Sequence, residues 1–281
     1  MRWGTALNGM INRGENMRIY ISADIEGLSG ITAWSETNMG DVEYSSQAKQ
    51  MSLEVAAACR GALKAGATEI IVKDAHDTGR NIDHRDLPQE VKLIRGWSNH
   101  PYSMVEGIDD TYDGVIMLGY HSGAHSNGSP LAHTLNPKTV ANIRINGQDA
   151  NEFLIHAYVC HALNVPVVGV TGDESLVYMV RQFDPNIATL AVQKGFGGAT
   201  ISIHPDLALE RIEAMVYQGI QNRSSCILNK PEHFELEITY KKHTDAYRAS
   251  FFPGVRQLSE YRVVYETESY EELMSALMFI H

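Results

Sequence analysis

The chain reads as an α/β protein with a three-layer α/β/α core, a mostly parallel sheet and a smaller α+β section after it. Short apolar runs alternate with longer amphipathic stretches along most of the chain, the pattern of repeated strand–helix–strand units. The 281 residues suffice for one large domain or two modest ones. Hydrophobic residues make up 44% and charged residues 20%, a globular balance that excludes disorder as the main state.

Residues 18–24 form a short apolar run expected to be a buried strand, followed by a Gly/Ser/Thr-rich loop from Gly27. Residues 42–65 suit a long helix, with Gly66 placed to stop it. Residues 69–73 form a second strand, and strand–helix–strand implies a right-handed parallel unit. Further strands are expected at residues 91–94, 114–119, 140–145, 165–170 and 187–192, with helices at 150–163 and 174–183. Asn146-Gly147 marks a turn. Beyond the glycine cluster at 195–198, read as a flexible turn or bend between domains, the character changes. Helices at 207–220 and 270–279 and strands at 235–240 and 257–264 make a mixed section. The expected organisation is a disordered leader over 1–16, a metal-binding α/β domain over 17–193 and a smaller α+β domain over 194–281. The leader has two arginines but no apolar segment, unlike a signal peptide; either Met17 is the true start or the leader is a genuine disordered tail.

The net charge of −11 repels phosphate backbones and anionic lipid, so neither nucleic acid nor a membrane is expected as a partner. It suits a bound cation. Three widely spaced cysteines without a CxxC pair suggest neither a zinc ribbon nor a disulfide framework and favour a reducing cytoplasm. No apolar run approaches the roughly 20 residues that span a bilayer.

Candidate chemistry collects at strand ends. Asp24 and Glu26 follow the first strand, and residues two apart in extended backbone share a side. His76 follows the second strand and His121 the strand at 114–119. In open α/β sheets ligands sit beyond the carboxyl ends of strands. One such histidine more often belongs to the core or a loop, whereas the convergence of all four residues favours a site. Glu152 opens a helix, where an acid also complements the helix dipole, and spacing alone does not select it. His133 lies in a loop, suited equally to acid–base work or a place on the surface. His125 has a weaker claim, and His156 and His161 read as helix packing or exposure rather than ligands. Carboxylates with imidazoles suit zinc or manganese, and a carboxylate can bridge two metals. No nucleophile elbow, HExxH or Walker sequence is present.

Taken in order, several segments resemble the M55 peptidases, D-aminopeptidases of the DppA type. Ser22-Ala23-Asp24-Ile25-Glu26-Gly27-Leu28-Ser29-Gly30 is similar to the opening motif and Asp74-Ala75-His76-Asp77 to the second. Leu93-Ile94-Arg95-Gly96, Ser103-Met104-Val105-Glu106-Gly107, Gly119-Tyr120-His121, Ala132-His133-Thr134 and Asn151-Glu152 follow. The resemblance is strong over residues 17–171 and weakest at the C-terminal end. Ala75 and Asp77 depart from the Ser and Gly more usual there, and His204 before Pro205 is also unexpected. The resemblance implies two zinc ions per subunit, with Asp24 bridging and Glu26, His76, His121 and Glu152 completing the ligands. His133 matches the residue proposed as catalytic nucleophile, and general acid–base work is chemically at least as apt. It further implies a homo-oligomer, a decamer made of pentamers, acting on short peptides with an N-terminal D-residue such as D-Ala. A metal-dependent amidase or L-aminopeptidase on the same scaffold is the alternative, as is a non-catalytic peptide-binding accessory of dipeptide uptake.

Overall fold

The computed structural model describes residues 16–281, so the expected leader lies outside the described residues except for Asn16. Its elements, in chain order, are β1 (Met17–Ala23), α1 (Tyr44–Lys64), β2 (Ala67–Asp74), β3 (Val91–Ile94), β4 (Gly114–Tyr120), β5 (Val140–Ile145) and β6 (Gln148–Asp149). Then come α2 (Glu152–Ala162), β7 (Val167–Asp173), α3 (Glu174–Phe183), β8 (Ala188–Phe196), β9 (Ala199–Ser202) and α4 (Pro205–Gln221). The chain ends with β10 (Phe234–Tyr240), α5 (His243–Ala249), β11 (Arg256–Ser259), β12 (Arg262–Thr267) and α6 (Tyr270–Ile280).

Seven strands form the main sheet in the order β3-β2-β1-β4-β7-β8-β9, parallel except for β8–β9. Alternate side chains of its central strands enter two cores. Ile19 and Ile21 of β1 and Ile116 and Leu118 of β4 pack with α1 and α4 on one face. Tyr20, Val115 and Met117 pack with α2 and α3 on the other. This is the expected three-layer arrangement, with strands buried on both faces as parallel sheets require. Gly66 ends α1 at φ +98°, a left-handed conformation that favours glycine.

The second sheet is antiparallel, in the order β11-β12-β10-β5-β6. The two sheets interleave along the chain. The smaller takes β5 and β6 from before residue 193, and the main one takes β9 and α4 from after it. The strand expected over 257–264 is a hairpin, β11 and β12, turning at Glu260 and Tyr261. The glycine cluster at 195–198 closes the β8–β9 hairpin and lies inside the main sheet. Helix α2 joins the halves. Every residue from Glu152 to His161 is buried, and Tyr158 meets both Phe234 and Tyr270. A helix covered all round is held by its neighbours rather than by one amphipathic face.

Two buried polar features carry stability. The Lys73 ammonium, fully buried at the end of β2, pairs with Glu106 at 2.9 Å and donates to the Gly96 carbonyl. Glu106 in turn accepts from the backbone and hydroxyl of Ser98. Glu106→Gln leaves the Lys73 charge without its counter-ion, so unfolding free energy should fall by about 3–5 kcal/mol in denaturant titration. A loss below about 1 kcal/mol would remove this role.

The second feature is His156, fully buried in α2, where desolvation pushes its imidazole down to about 4. The unfolded chain protonates near pH 6.5. Above that value the two states bind equal numbers of protons. Between about pH 6.5 and 4 only the unfolded state gains one, so stability falls with acidification, by about 3 kcal/mol at the lower end. His156→Gln should flatten this limb in urea titrations between about pH 7 and 4.5, and an unchanged slope would contradict the assignment.

Candidate active site

Four polypeptide segments deliver the candidate residues to one end of the main sheet. Asp24 and Glu26 follow β1, His76 follows β2, His121 follows β4, and Glu152 is the first residue of α2. The strand ends approach so closely that a Cβ on Gly27 would lie 1.8 Å from the Tyr120 carbonyl oxygen. Gly119 sits at φ +70° against the backbone of Asp24. These contacts draw the segments together and bury Asp24, Glu26 and His121 almost completely.

Asp24 occupies the middle. Its Oδ1 lies 3.3 Å from His76 Nδ1, and its Oδ2 lies 3.6 Å from His121 Nε2 on the other side. Glu26 Oε2 is 3.0 Å from the same His76 nitrogen, and Glu152 Oε2 is 3.2 Å from His121 Nε2. His133 stacks on His121 with ring centroids 4.4 Å apart and reaches within 3.8 Å of Glu152. Trp34 covers it from one side at 5.1 Å. All six expected residues are thus together. Three overlapping triads have ligand atoms within 4.8 Å of one another: Asp24–Glu26–His76, Asp24–His121–Glu152 and Glu26–His121–His133.

Each imidazole is tethered through one nitrogen. His76 Nε2 meets the Thr37 carbonyl at 2.9 Å, His121 Nδ1 the Ser122 carbonyl at 2.9 Å and His133 Nδ1 the Leu131 carbonyl at 2.8 Å. With an N–H donated to each carbonyl, the other nitrogen turns inward, the position from which a deprotonated ring can ligate a metal. Buried Glu26 Oε2 and His121 Nε2 make no hydrogen bond despite their close neighbours. The donor set of three carboxylates and inward-facing imidazoles therefore fits divalent zinc.

Electrostatics agree. Burial and the neighbouring Glu26 push the Asp24 carboxyl well above the carboxylate range. Burial also opposes ionisation of Glu26 and Glu152, but His76 outweighs it at Glu26 and His121 holds Glu152 at about 2. Against burial, Glu26 and Glu152 raise His76 and His121 respectively. Burial and the adjacent His121 lower His133, keeping its ring neutral near pH 7.

Residues outside the expected set hold these groups. The Asp74 carboxylate accepts from the backbone of Asn81 and Ile82 and from the Asn81 side chain, folding the loop that carries His76. Asp77 adopts φ +42°, which explains why glycine suits this position and how aspartate is tolerated. Asp173 caps α3 and accepts from the Ser122 backbone beside His121. Asn151 caps α2, and the Leu135 backbone donates to Glu152 Oε1 at 2.7 Å. An Asp-Glu pair opening a helix is a capping signal; the Leu135 contact has no local sequence signature. His125 lines the pocket, His156 and His161 are buried in α2, and His204 caps α4. The pocket above the cluster has a volume of about 1130 Å³, with Lys138 and Lys241 among its lining residues. Among the described residues no helix is long and apolar enough to cross a membrane.

Comparison with known proteins gives the chain's relatives. A curated D-aminopeptidase of Bacillus subtilis (strain 168) is 30% identical over 240 residues, covering 85% of this chain and 86% of the relative. The structure of the Zn-dependent D-aminopeptidase DppA from Bacillus subtilis, described as a self-compartmentalizing protease, superposes with a TM-score of 0.89. That match has 28% identity and covers 94% of this chain and 96% of the other. Residues 17–279 match the model of peptidase family M55, described as D-aminopeptidase, and the chain belongs to that family.

Proposed function

We propose that the protein is a zinc-dependent aminopeptidase that removes N-terminal D-residues such as D-Ala from short peptides or amides. The observation that carries this reading is the sharing of Asp24 between two metal-competent triads, one oxygen facing each side. Asp24, Glu26 and His76 would hold one zinc ion, and Asp24, His121 and Glu152 a second. Bound zinc supplies Lewis acidity, polarising a carbonyl and lowering the pKa of coordinated water.

The chain's own groups supply the rest. His133, neutral and tethered through Nδ1, can accept a proton at Nε2 and return it to a leaving amine. The acidic floor attracts a protonated amino terminus, and Lys138 and Lys241 complement a free carboxylate at the other end of a short peptide. The family relationship and the DppA likeness support a D-residue preference. A homo-oligomer, in the limit a decamer, is supported by the self-compartmentalizing neighbour and by exposed Phe196 and Ile201 around the β8–β9 hairpin. A cytoplasmic location follows from the cysteine usage.

Zinc-loaded protein should release ammonia from D-alaninamide at least about tenfold faster than from L-alaninamide, and chelation should abolish release. His133→Ala should lower kcat by about 10²–10⁴-fold without loss of zinc, read by metal analysis alongside kinetics. Full activity of the variant, or activity that survives proven metal loss, would overturn the assignment.

Light scattering should give a particle mass several times the 31.2 kDa of one chain. A single species at the monomer mass would exclude the assembly.

A further inference from the structure

A second cavity of about 250 Å³ adjoins the metal pocket. Trp97, Ser103, Leu135 and His281 line both, so the two are neighbouring compartments with shared walls. Their characters differ. The first has an acidic floor, whereas Trp97, Leu135, Met274, Leu277 and Met278 make the second mostly apolar. It exceeds the ~30 Å³ share of one water several-fold but falls short of the roughly 300–1,000 Å³ that houses a whole ligand. That is the scale of one large side chain.

The walls are held in place. The Trp97 indole donates to the Asp77 carbonyl at 2.7 Å, and the Lys73 ammonium lies 3.9 Å from its ring centroid. Leu135 is held at φ +60°, unusual for a bulky residue, while its backbone donates to Glu152 in the metal cluster. Asn99 and Ser103 on the cavity wall also have positive φ. Among the described residues, five of the seven non-glycine residues with positive φ line one or both compartments: Asp77, Asn99, Ser103, His125 and Leu135. Such strain gathers where a binding surface is pre-shaped. The imidazole of His156 completes the lining, its Nδ1 tethered to the Glu152 carbonyl and its Nε2 without a partner.

We infer that this cavity is a side-chain subsite that receives a large apolar or aromatic side chain of the substrate, with Met278 and Leu135 as specificity-determining residues. Four residues line both this cavity and the metal pocket, which puts its occupant beside the metal pocket, where a neighbouring side chain of the same substrate would lie. The inference rests on the peptidase reading and extends its substrate class beyond alanine to residues of phenylalanine size.

The test uses alanine hydroxamate and phenylalanine hydroxamate, each as D and L forms, titrated calorimetrically into zinc-loaded protein. Hydroxamates chelate zinc, so binding is read without turnover. The phenylalanine compound should bind at least about tenfold more tightly than the alanine compound of the same hand. Met278 is half-buried and outside the two main cores, so Met278→Trp fills the cavity at little risk to folding. It should abolish the phenylalanine advantage while leaving the alanine compound within about twofold. Met278→Ala should retain the advantage. An unchanged selectivity ratio in Met278→Trp, or no preference in the wild type, overturns the subsite. If neither compound binds protein of proven zinc content, the peptidase reading fails, and the subsite with it.

Discussion

Asp24, Glu26 and Glu152 bring three carboxylates into a volume almost closed to water, and much of the surrounding structure serves to hold them there. Like charges at this separation cannot all persist without cations. In the absence of metal the protein balances the cluster with its own protons. Asp24 favours its neutral form, while His76 and His121 favour theirs as cations beside Glu26 and Glu152. A bound divalent cation would displace those protons and satisfy the same carboxylates more strongly, which ties metal affinity to proton release. The fold contributes the confinement, through strand ends packed too tightly for a side chain at Gly27.

Orientation is a separate requirement from proximity. The carbonyls of Thr37, Ser122 and Leu131 each occupy one ring nitrogen of a histidine, so each imidazole keeps a single inward-facing nitrogen. The Ser122 carbonyl and the loop of His76 are themselves placed by ordinary devices. Asp173 caps a helix and simultaneously fixes Ser122, and Asp74 ties down the loop that carries His76. The same acid–amide bonds that finish secondary structure thereby set the ring directions. Loss of one would disturb the site without removing any ligand.

The legibility of these features in the sequence follows their range. The strands at 91–94 and 140–145 and the helix at 174–183 are bounded as their patterns predict, because periodicity is a local property. The placement of 140–145 in the second sheet is not local. Its partner β10 lies about ninety residues later, and no pattern within the strand encodes that pairing. The hairpin at β11–β12 merges into one run because Glu260 and Tyr261 carry no glycine or proline signal. Helix α5, seven residues long, is too short for a clear period. Within the site, Asp24, Glu26, His76 and His121 are legible through the strand-end rule. Glu152 and His133 are not, since one opens a helix and the other sits in a loop; only the ordered resemblance points to them.

The neutral His133 ring links these levels. Its lowered basicity comes from burial and from the cationic His121 stacked against it, so the carboxylate–imidazole cluster also sets the proton affinity of its neighbour. If metal replaces the proton on His121, positive charge remains close to His133 and continues to disfavour a second cation there. The ring is then kept as a free base at neutral pH, the state that the proposed proton-accepting role requires. A histidine placed in the same loop without that stacked partner would lack this electrostatic bias. The stack at 4.4 Å is therefore an electrostatic contact as well as a packing one. It shows how a loop residue with no regular secondary structure around it is held in one place, by the stacked His121 ring and the Leu131 carbonyl.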